Sequence, residues 1–296
     1  MSMREDLSKD LLPVHGEEID PVEMARRDLK KALPKRFYAQ AHFEARDGAY
    51  VLLLDGRPAQ TPGRNRIALP TQAAAQLVAD EWQAQADQID PATMPITRIV
   101  NSAIDGVARE MDAVRAEIAK YAGSDLICYR ASDPEALVAA QAQAWDPVLA
   151  FIRDTFGARF VLAEGVMFAE QPDHALAALR KAIDAFDSEL PLAALHVMTT
   201  LTGSALIALA LVHGHFDLDG AWEAAHADED YQMRIWGADA EALARREKRW
   251  AEMKAAHDLF QASKAHARTS VSVFRSRKLF VIWWRLTAKN LSLCNF

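Results

Sequence analysis

Residues 190–216, LPLAALHVMTTLTGSALIALALVHGHF, contain no Asp, Glu, Lys or Arg. A stretch of this length is long enough to cross a lipid bilayer. Its flanks are acidic, with Asp187 and Glu189 before it and Asp217 and Asp219 after it, and neither side carries the Lys and Arg bias of a membrane helix. The stretch therefore predicts the central buried helix of an all-helical domain.

Upstream of residue 132, apolar and polar side chains alternate with the two-residue period of β-strands. The alternation is strict through residues 36–46, where Phe37 and Phe43 share one face with three alanines. Asp-Gly pairs at 47–48 and 55–56 are typical of tight turns. The segment predicts a small antiparallel meander with half-buried strands at 36–46, 50–54 and 66–69.

Helical patterns follow this meander. Thr71 is a suitable N-cap for a helix that extends to about residue 88, and a second helix is predicted over 97–121. Residues 124–131, SDLICYRA, predict a short buried strand or turn. We interpret Cys128 within this apolar segment as a buried, unreactive thiol.

From Asp133 onward the apolar spacing is helical throughout. Asp133-Pro134 begins a helix that Gly157 ends, and Asp146-Pro147 is expected to restart it because proline removes a helical hydrogen bond. A further helix is predicted after Pro172. The caps predicted for the last two helices are Asp217 or Asp219, and Asp239.

These patterns predict an α+β fold with four parts. Residues 30–132 form a small N-terminal α/β domain with the meander and two helices, and residues 133–262 form an all-helical domain. Residues 1–29 are expected to be a flexible segment. No acid follows Asp258, whereas seven Lys and Arg residues do. We interpret residues 263–296 as a disordered or non-native extension, and the alternative is an amphipathic helix that binds anionic membranes.

Charge and cysteine content narrow the class of protein. The formal net charge of −7 disfavours broad binding of nucleic acid. The two cysteines, Cys128 and Cys294, lie far apart, which excludes a disulfide framework and a cysteine-based zinc site. The first thirty residues lack the apolar core of a signal peptide. We therefore expect a cytoplasmic protein without stable membrane insertion.

The sequence contains little that indicates a metal site or a cofactor site. The chain has neither a glycine-rich phosphate loop nor a G-x-S-x-G elbow. His213 and His215 precede Asp217, but a helix end followed by a helix start explains this cluster better than a metal site does. Glu223-x-x-His226 is half of a di-iron signature, and the chain has no second copy. We expect neither a metal nor a cofactor.

Glu229 stands out on the helix predicted from about residue 219. It lies at the centre of an apolar stripe, where an ionised carboxylate has to be paired, protonated or placed at a rim for a partner. An arginine from a neighbouring helix would provide the internal pair. Four side chains fall within roughly 40° of one line on this helix: Trp222, His226, Met233 and Trp236.

Five unusual segments occur in a characteristic order: LDGRPAQTP (54–62), EWQAQADQIDPATMPITRIVNSAID (81–105), SDLICYRA (124–131), LHVMTTLTGSALIALAL (195–211) and ADEDYQMRIWG (227–237). Over residues 30–260 the chain resembles the ATP synthase assembly chaperones that bind the alpha subunit of the F-type catalytic head, a family of mitochondria and alphaproteobacteria. The resemblance implies a small α/β domain followed by a helical domain. It also implies a non-enzymatic role, in which the protein shields the unassembled alpha subunit from aggregation until it pairs with the beta subunit.

The acidic position of the family's Glu-x-Tyr-Gln…Trp-Gly signature falls on Glu229. The rest of the signature falls on Tyr231, Gln232, Trp236 and Gly237. We expect Glu229 to contact a basic group of the alpha subunit, with Trp222 or Trp236 beside it. Free of its client, the protein is expected to be a monomer.

Two other classes of function stay open at this point. One is an enzyme that uses Glu229 as a general acid or base with His226 nearby. The other is a membrane-associated scaffold that relies on the basic tail and the long apolar helix.

Overall fold

A computed structural model describes residues 33–165 and 168–264 of the chain. The predictions made for residues 1–29, and for residues 265–296 of the tail, lie outside this part.

An antiparallel sheet opens the fold, as predicted. Strands β1 (Ala41–Arg46) and β2 (Ala49–Leu54) pair along their whole length. They are joined by the Asp-Gly pair at 47–48, where both residues have positive φ, as a tight hairpin turn requires. Strands β3 (Arg57–Pro58) and β4 (Ala68–Leu69) also pair with β2, which is therefore the central strand.

The first strand is shorter than the prediction of 36–46. The backbone N–H of Arg36 donates to the carbonyl of Asp87 at 2.9 Å, so this segment lies beside a later loop. The Asp55 carboxylate accepts hydrogen bonds from the backbone of residues 39 and 40. Phe37 is 72% exposed while Tyr38 is buried, so the inward orientation predicted for Phe37 is wrong.

Helix α1 (Gln72–Gln83) packs on the sheet. It begins at Thr71, whose side chain accepts from the backbone N–H of Ala74 at 3.1 Å, as the predicted cap requires. It ends five residues before the predicted boundary at 88. The single helix predicted over 97–121 is wrong, because a 3₁₀ turn after Gly106 separates α2 (Pro95–Asp105) from α3 (Met111–Gly123).

The segment at 124–131 is short and buried at its centre, where Asp125, Ile127 and Cys128 are buried. It forms a 3₁₀ turn, Leu126–Cys128, followed by strand β5 (Tyr129–Arg130), which pairs in parallel with β6 (Ala163–Glu164). Cys128 is buried, and this burial raises the pKa of its thiol to about 12. The predicted burial of Cys128 is confirmed, and a raised thiol pKa is what the interpretation of Cys128 as an unreactive thiol expects.

Helix α4 (Glu135–Phe156) is a single helix of 22 residues that ends at Gly157. The restart predicted at Pro147 is wrong. Pro147 and Gln143, one turn earlier, both lie on the exposed face of α4. Water can therefore bind the carbonyl that the proline leaves without its helical partner.

The uncharged stretch at 190–216 is mostly buried as far as Val212, in line with the prediction, but residues 213–215 are exposed and the stretch is not one helix. After α5 (Asp173–Asp184), it forms α6 (Glu189–Thr202) and α7 (Ala205–Val212). Gly203 separates α6 from α7 with a φ of 66°, a conformation that favours glycine. Every residue of α7 is buried.

Three helices complete the described chain: α8 (Leu218–Ala225), α9 (Ala227–Trp236) and α10, at 240–264. Asp217 accepts from the backbone of Gly220 at 2.9 Å, and Asp239 accepts from the backbone of Ala242 at 3.0 Å. Both predicted caps are confirmed.

The α+β fold class is confirmed by the small sheet and the mostly helical remainder. Helices α2 and α3 pack on α6, and α4 packs on α7 and α9. The buried apolar side chains form one cluster that runs from the sheet to α10. The domain boundary at residues 132 and 133 stays a prediction. None of the helices in the described part of the chain is sufficiently long and apolar to span a membrane.

Candidate functional site

His226 separates α8 from α9, so the single helix predicted through this region is wrong. Its ring is buried and lies 3.9 Å from the ring of Trp222, centroid to centroid. Its Nδ1 lies 2.8 Å from the carbonyl oxygen of Trp222. Because a carbonyl only accepts, Nδ1 carries the proton, and Nε2 is left as an acceptor.

The two tryptophans of the predicted stripe have different environments. Trp222 is buried between His226 and Trp250, with 5.3 Å between the two tryptophan rings. Trp236, at the end of α9, is 84% exposed. Of the two tryptophans, only Trp236 presents most of its surface to a partner.

Glu229 lies in the first turn of α9 with 57% of its side chain exposed. Its Oε2 is 4.0 Å from Nε2 of His226. Burial lowers the pKa of His226 below its ordinary value, so the imidazole is neutral near pH 7. Glu229 therefore sits at a rim with its negative charge uncompensated by this neighbour.

A cavity of about 410 Å³ separates α9 from α10 next to Glu229. This volume is in the range of pockets that hold ligands or parts of partner chains, roughly 300–1,000 Å³. The cavity combines apolar, acidic and basic groups. Its lining residues are Glu229, Gln232, Met233, Trp236, Gly237, Asp239, Ala242, Arg245, Arg246 and Arg249.

The predicted alternative of an internal arginine partner for Glu229 is not found in the described residues. Arg246 forms an ion pair with Asp230, and Arg245 pairs with Glu241 at 2.5 Å. The guanidinium of Arg249 donates to a backbone carbonyl. Each arginine of the cavity is therefore engaged by another group.

The first turn of α9 contains three consecutive carboxylates, Asp228, Glu229 and Asp230. Negative charge is favourable at a helix N-terminus, which stabilises this arrangement in the fold. Of the three, Asp230 alone has an arginine partner within the described chain. The turn thus offers negative charge that suits a basic group of a partner.

Residues of α4 anchor the start of α9. The side chain of Gln141 is buried, accepts from the backbone N–H of Ala131 at 2.8 Å and donates to Asp228 at 2.8 Å. Trp145 is fully buried and donates to the carbonyl of Ala224 at 2.7 Å. Gln141 was not predicted as a site residue, because nothing in the helical pattern of the sequence distinguishes a buried glutamine from an exposed one.

Only some of the predicted site residues therefore lie at the cavity. It brings Glu229, Gln232 and Trp236 to one cavity. Tyr231 does not line that cavity and packs instead under the guanidinium of Arg234, 5.6 Å from its ring centroid. Trp222 supports the site from within the core.

Residues 33–165 and 168–264 contain no cluster of three or more His, Cys, Asp or Glu side chains arranged to hold a metal ion. His213 and His215 make aromatic contacts instead. The ring of His213 meets Phe156 at 5.2 Å, and the ring of His215 stacks on Phe151 at 4.7 Å.

Comparison with known proteins identifies the family. The ATP12 chaperone protein family matches residues 35–153. A crystal structure of a protein from Agrobacterium tumefaciens, proposed to be a chaperone, shares 46% identity with a TM-score of 0.76, over 82% of this chain and 91% of that chain. The crystal structure of Atp12 from Paracoccus denitrificans shares 39% identity with a TM-score of 0.73, over 78% of this chain and 98% of that chain. Because identity at this level extends over nearly the whole of both relatives, the chain belongs to the ATP12 family of ATP synthase assembly chaperones.

Proposed function

We propose that this protein binds the unassembled alpha subunit of the F-type ATP synthase catalytic head and prevents its aggregation before it pairs with the beta subunit. Membership of the ATP12 family supports a role in ATP synthase assembly. The observation that carries the proposal for this chain is the exposed carboxylate of Glu229 at a cavity that also contains exposed Trp236. We place this activity in the cytoplasm.

The physical basis of the proposed role is mass action. A subunit that awaits its partner exposes an apolar interface, and large exposed apolar patches favour aggregation. A chaperone that binds this interface lowers the concentration of the free, aggregation-prone subunit. Neither a nucleotide nor a metal is needed for such an equilibrium.

Glu229 is proposed to form a charge-assisted hydrogen bond with a Lys or Arg of the alpha subunit. Trp236 supplies a large exposed ring for apolar contact, and Gln232 supplies amide groups on the same cavity wall. Trp222 holds the ring of His226 behind Glu229. Tyr231 is proposed to contact the client outside the cavity.

The direct test is co-expression of the protein with the alpha subunit of the same organism, followed by pull-down and a soluble-fraction assay. Wild type is expected to keep the alpha subunit soluble. Glu229→Lys should reduce capture at least tenfold, since it turns the proposed attraction into repulsion. The matched control is Glu223→Lys, which reverses an exposed glutamate on the neighbouring helix α8 and should leave capture unchanged.

Two results would contradict the proposal. One is a wild-type protein that captures no alpha subunit. The other is a Glu229→Lys variant that is folded by circular dichroism and captures as much alpha subunit as wild type.

The cavity favours binding over an enzyme that pairs Glu229 with His226. Acid–base chemistry by this pair requires both groups to reach a substrate. His226 does not line the cavity, and its Nε2 is buried. For the membrane scaffold, the basic tail on which that alternative depends lies beyond the described residues.

A further inference from the structure

Within the part of the chain that the structure describes, Arg249 is the one arginine of the cavity without a carboxylate partner. It lies on α10 and is half-buried. Its Nη2 donates to the carbonyl of Leu201, in the last turn of α6, at 2.7 Å. Among the described residues no carboxylate oxygen lies within 4.0 Å of its guanidinium, in contrast to Arg245 and Arg246.

Glu229 and Arg249 line the same cavity from different helices. They do not form an ion pair, because their charged atoms are more than 4.0 Å apart and the cavity of about 410 Å³ lies between the helices that carry them. The other acidic lining residue, Asp239, caps α10 through the backbone of Ala242. Within the described chain, the cavity thus combines the carboxylates of Glu229 and Asp239, neither of which is paired with an arginine, with the guanidinium of Arg249, which has no carboxylate partner.

The contact with Leu201 holds the guanidinium of Arg249 in one position at the cavity. A guanidinium has five N–H groups, and this contact uses one of them while fixing the position of the side chain. The planar group matches a carboxylate in a two-point hydrogen bond, and a fixed guanidinium loses less entropy when it forms that bond.

We propose that the cavity between α9 and α10 binds a segment of the client that carries both an acidic and a basic side chain, with the acidic group bound by Arg249. The basic group is bound by Glu229, and this half of the inference rests on the proposed function. Trp236 covers the apolar part of the segment at the mouth of the cavity. Two charges of opposite sign at fixed positions specify the direction of the bound segment as well as its identity.

The test compares Arg249→Gln and Arg249→Lys with wild type in pull-down of the co-expressed alpha subunit. Both replacements can donate to the carbonyl of Leu201, but only lysine keeps the positive charge. Arg249→Gln is expected to lower capture at least tenfold, and Arg249→Lys is expected to keep several times more capture than Arg249→Gln. Arg180→Gln removes an arginine on α5, away from the cavity, and serves as the control.

The outcomes separate this inference from the proposed function. If Arg249→Gln captures as much alpha subunit as wild type while Glu229→Lys loses it, the inference is wrong and the proposed function stands. Equal capture by Arg249→Gln and Arg249→Lys also overturns the inference, whatever their thermal stability, because charge would then not matter. If neither the Glu229 variant nor the Arg249 variants lose capture, both proposals are wrong.

Discussion

Asp125 accepts a hydrogen bond of 2.5 Å from the hydroxyl of Ser204, which connects the segment after α3 to the start of the fully buried helix α7. The same carboxylate accepts from the backbone of Leu206 at 3.1 Å and of Ile127 at 3.3 Å. Ser204 in turn accepts from the backbone of Ile207 at 3.0 Å. Together these two side chains satisfy N–H groups of a helix start that water does not reach.

This arrangement predicts a pH-dependent contribution of Asp125 to stability. Burial raises the pKa of Asp125 from its usual 3.8 to about 6, although its hydrogen bonds oppose the shift. Between these two values the native state holds a proton that the unfolded state has released. The stability contributed by protonated Asp125 is therefore present below pH 3.8 and is lost as the pH rises through about 6.

Asp125→Asn isolates this effect. The amide does not titrate, and its N–H₂ cannot replace both accepting oxygens, so the variant should be less stable by roughly 1–3 kcal/mol. Urea unfolding of both proteins across this pH range should show the difference in free energy of unfolding shrinking as the pH rises. Asp112→Asn, at a 90% exposed side chain, is the control. A difference that grows with pH would contradict the assignment.

The sequence predicted correctly those features of the fold that depend on contacts between residues close together in the chain. The caps at Thr71, Asp217 and Asp239 depend on side chains that bond their own helix starts, and all three are found. Helix continuity was predicted less well. The breaks at Gly106 and Gly203 lie inside strong helical patterns, and the partner of the second break, Asp125, is far away in the sequence.

The break at Gly203 gives a second prediction. Its φ of 66° is left-handed, and an added Cβ would meet no atom within 4 Å, so strain rather than collision determines the effect of a substitution. Gly203→Ala should lower the free energy of unfolding by roughly 1–2 kcal/mol. Gly123→Ala, at a helical glycine without positive φ and with equal space, should be neutral or stabilising. Thermal unfolding compares the two, and equal melting temperatures would contradict the prediction.

Trp145 provides a third prediction, on the anchoring of α8 and α9. Trp145→Phe removes the donor to the carbonyl of Ala224 and leaves space in a fully buried position. The expected loss is roughly 2–4 kcal/mol in free energy of unfolding, measured in urea. Trp236→Phe, at an exposed position, should change it by less than about 0.5 kcal/mol. Similar losses in both variants would show that the hydrogen bond and burial of Trp145 are not the cause.

The candidate site was predictable only in part, because some of its residues are brought together by contacts between distant parts of the sequence. The signature identified Glu229 and Trp236 by their neighbours in the sequence, and both lie at the cavity. The apolar stripe assumed an unbroken helix, whereas the turn at His226 directs Trp222 into the core. Arg249 was not identified, because its proximity to the cavity follows from how α10 folds back along α9.

Trp236→Ala tests whether the exposed ring at the cavity serves binding rather than stability. Because the ring is 84% exposed, its removal should leave the free energy of unfolding within about 0.5 kcal/mol of wild type. Capture of the alpha subunit should fall at least tenfold, which corresponds to about 1.4 kcal/mol of binding free energy. Phe37→Ala removes another exposed aromatic ring, 72% exposed and remote in the sequence, and should not affect capture. If both variants lose capture equally, general surface hydrophobicity rather than the position of Trp236 drives binding, and the assignment of this cavity fails.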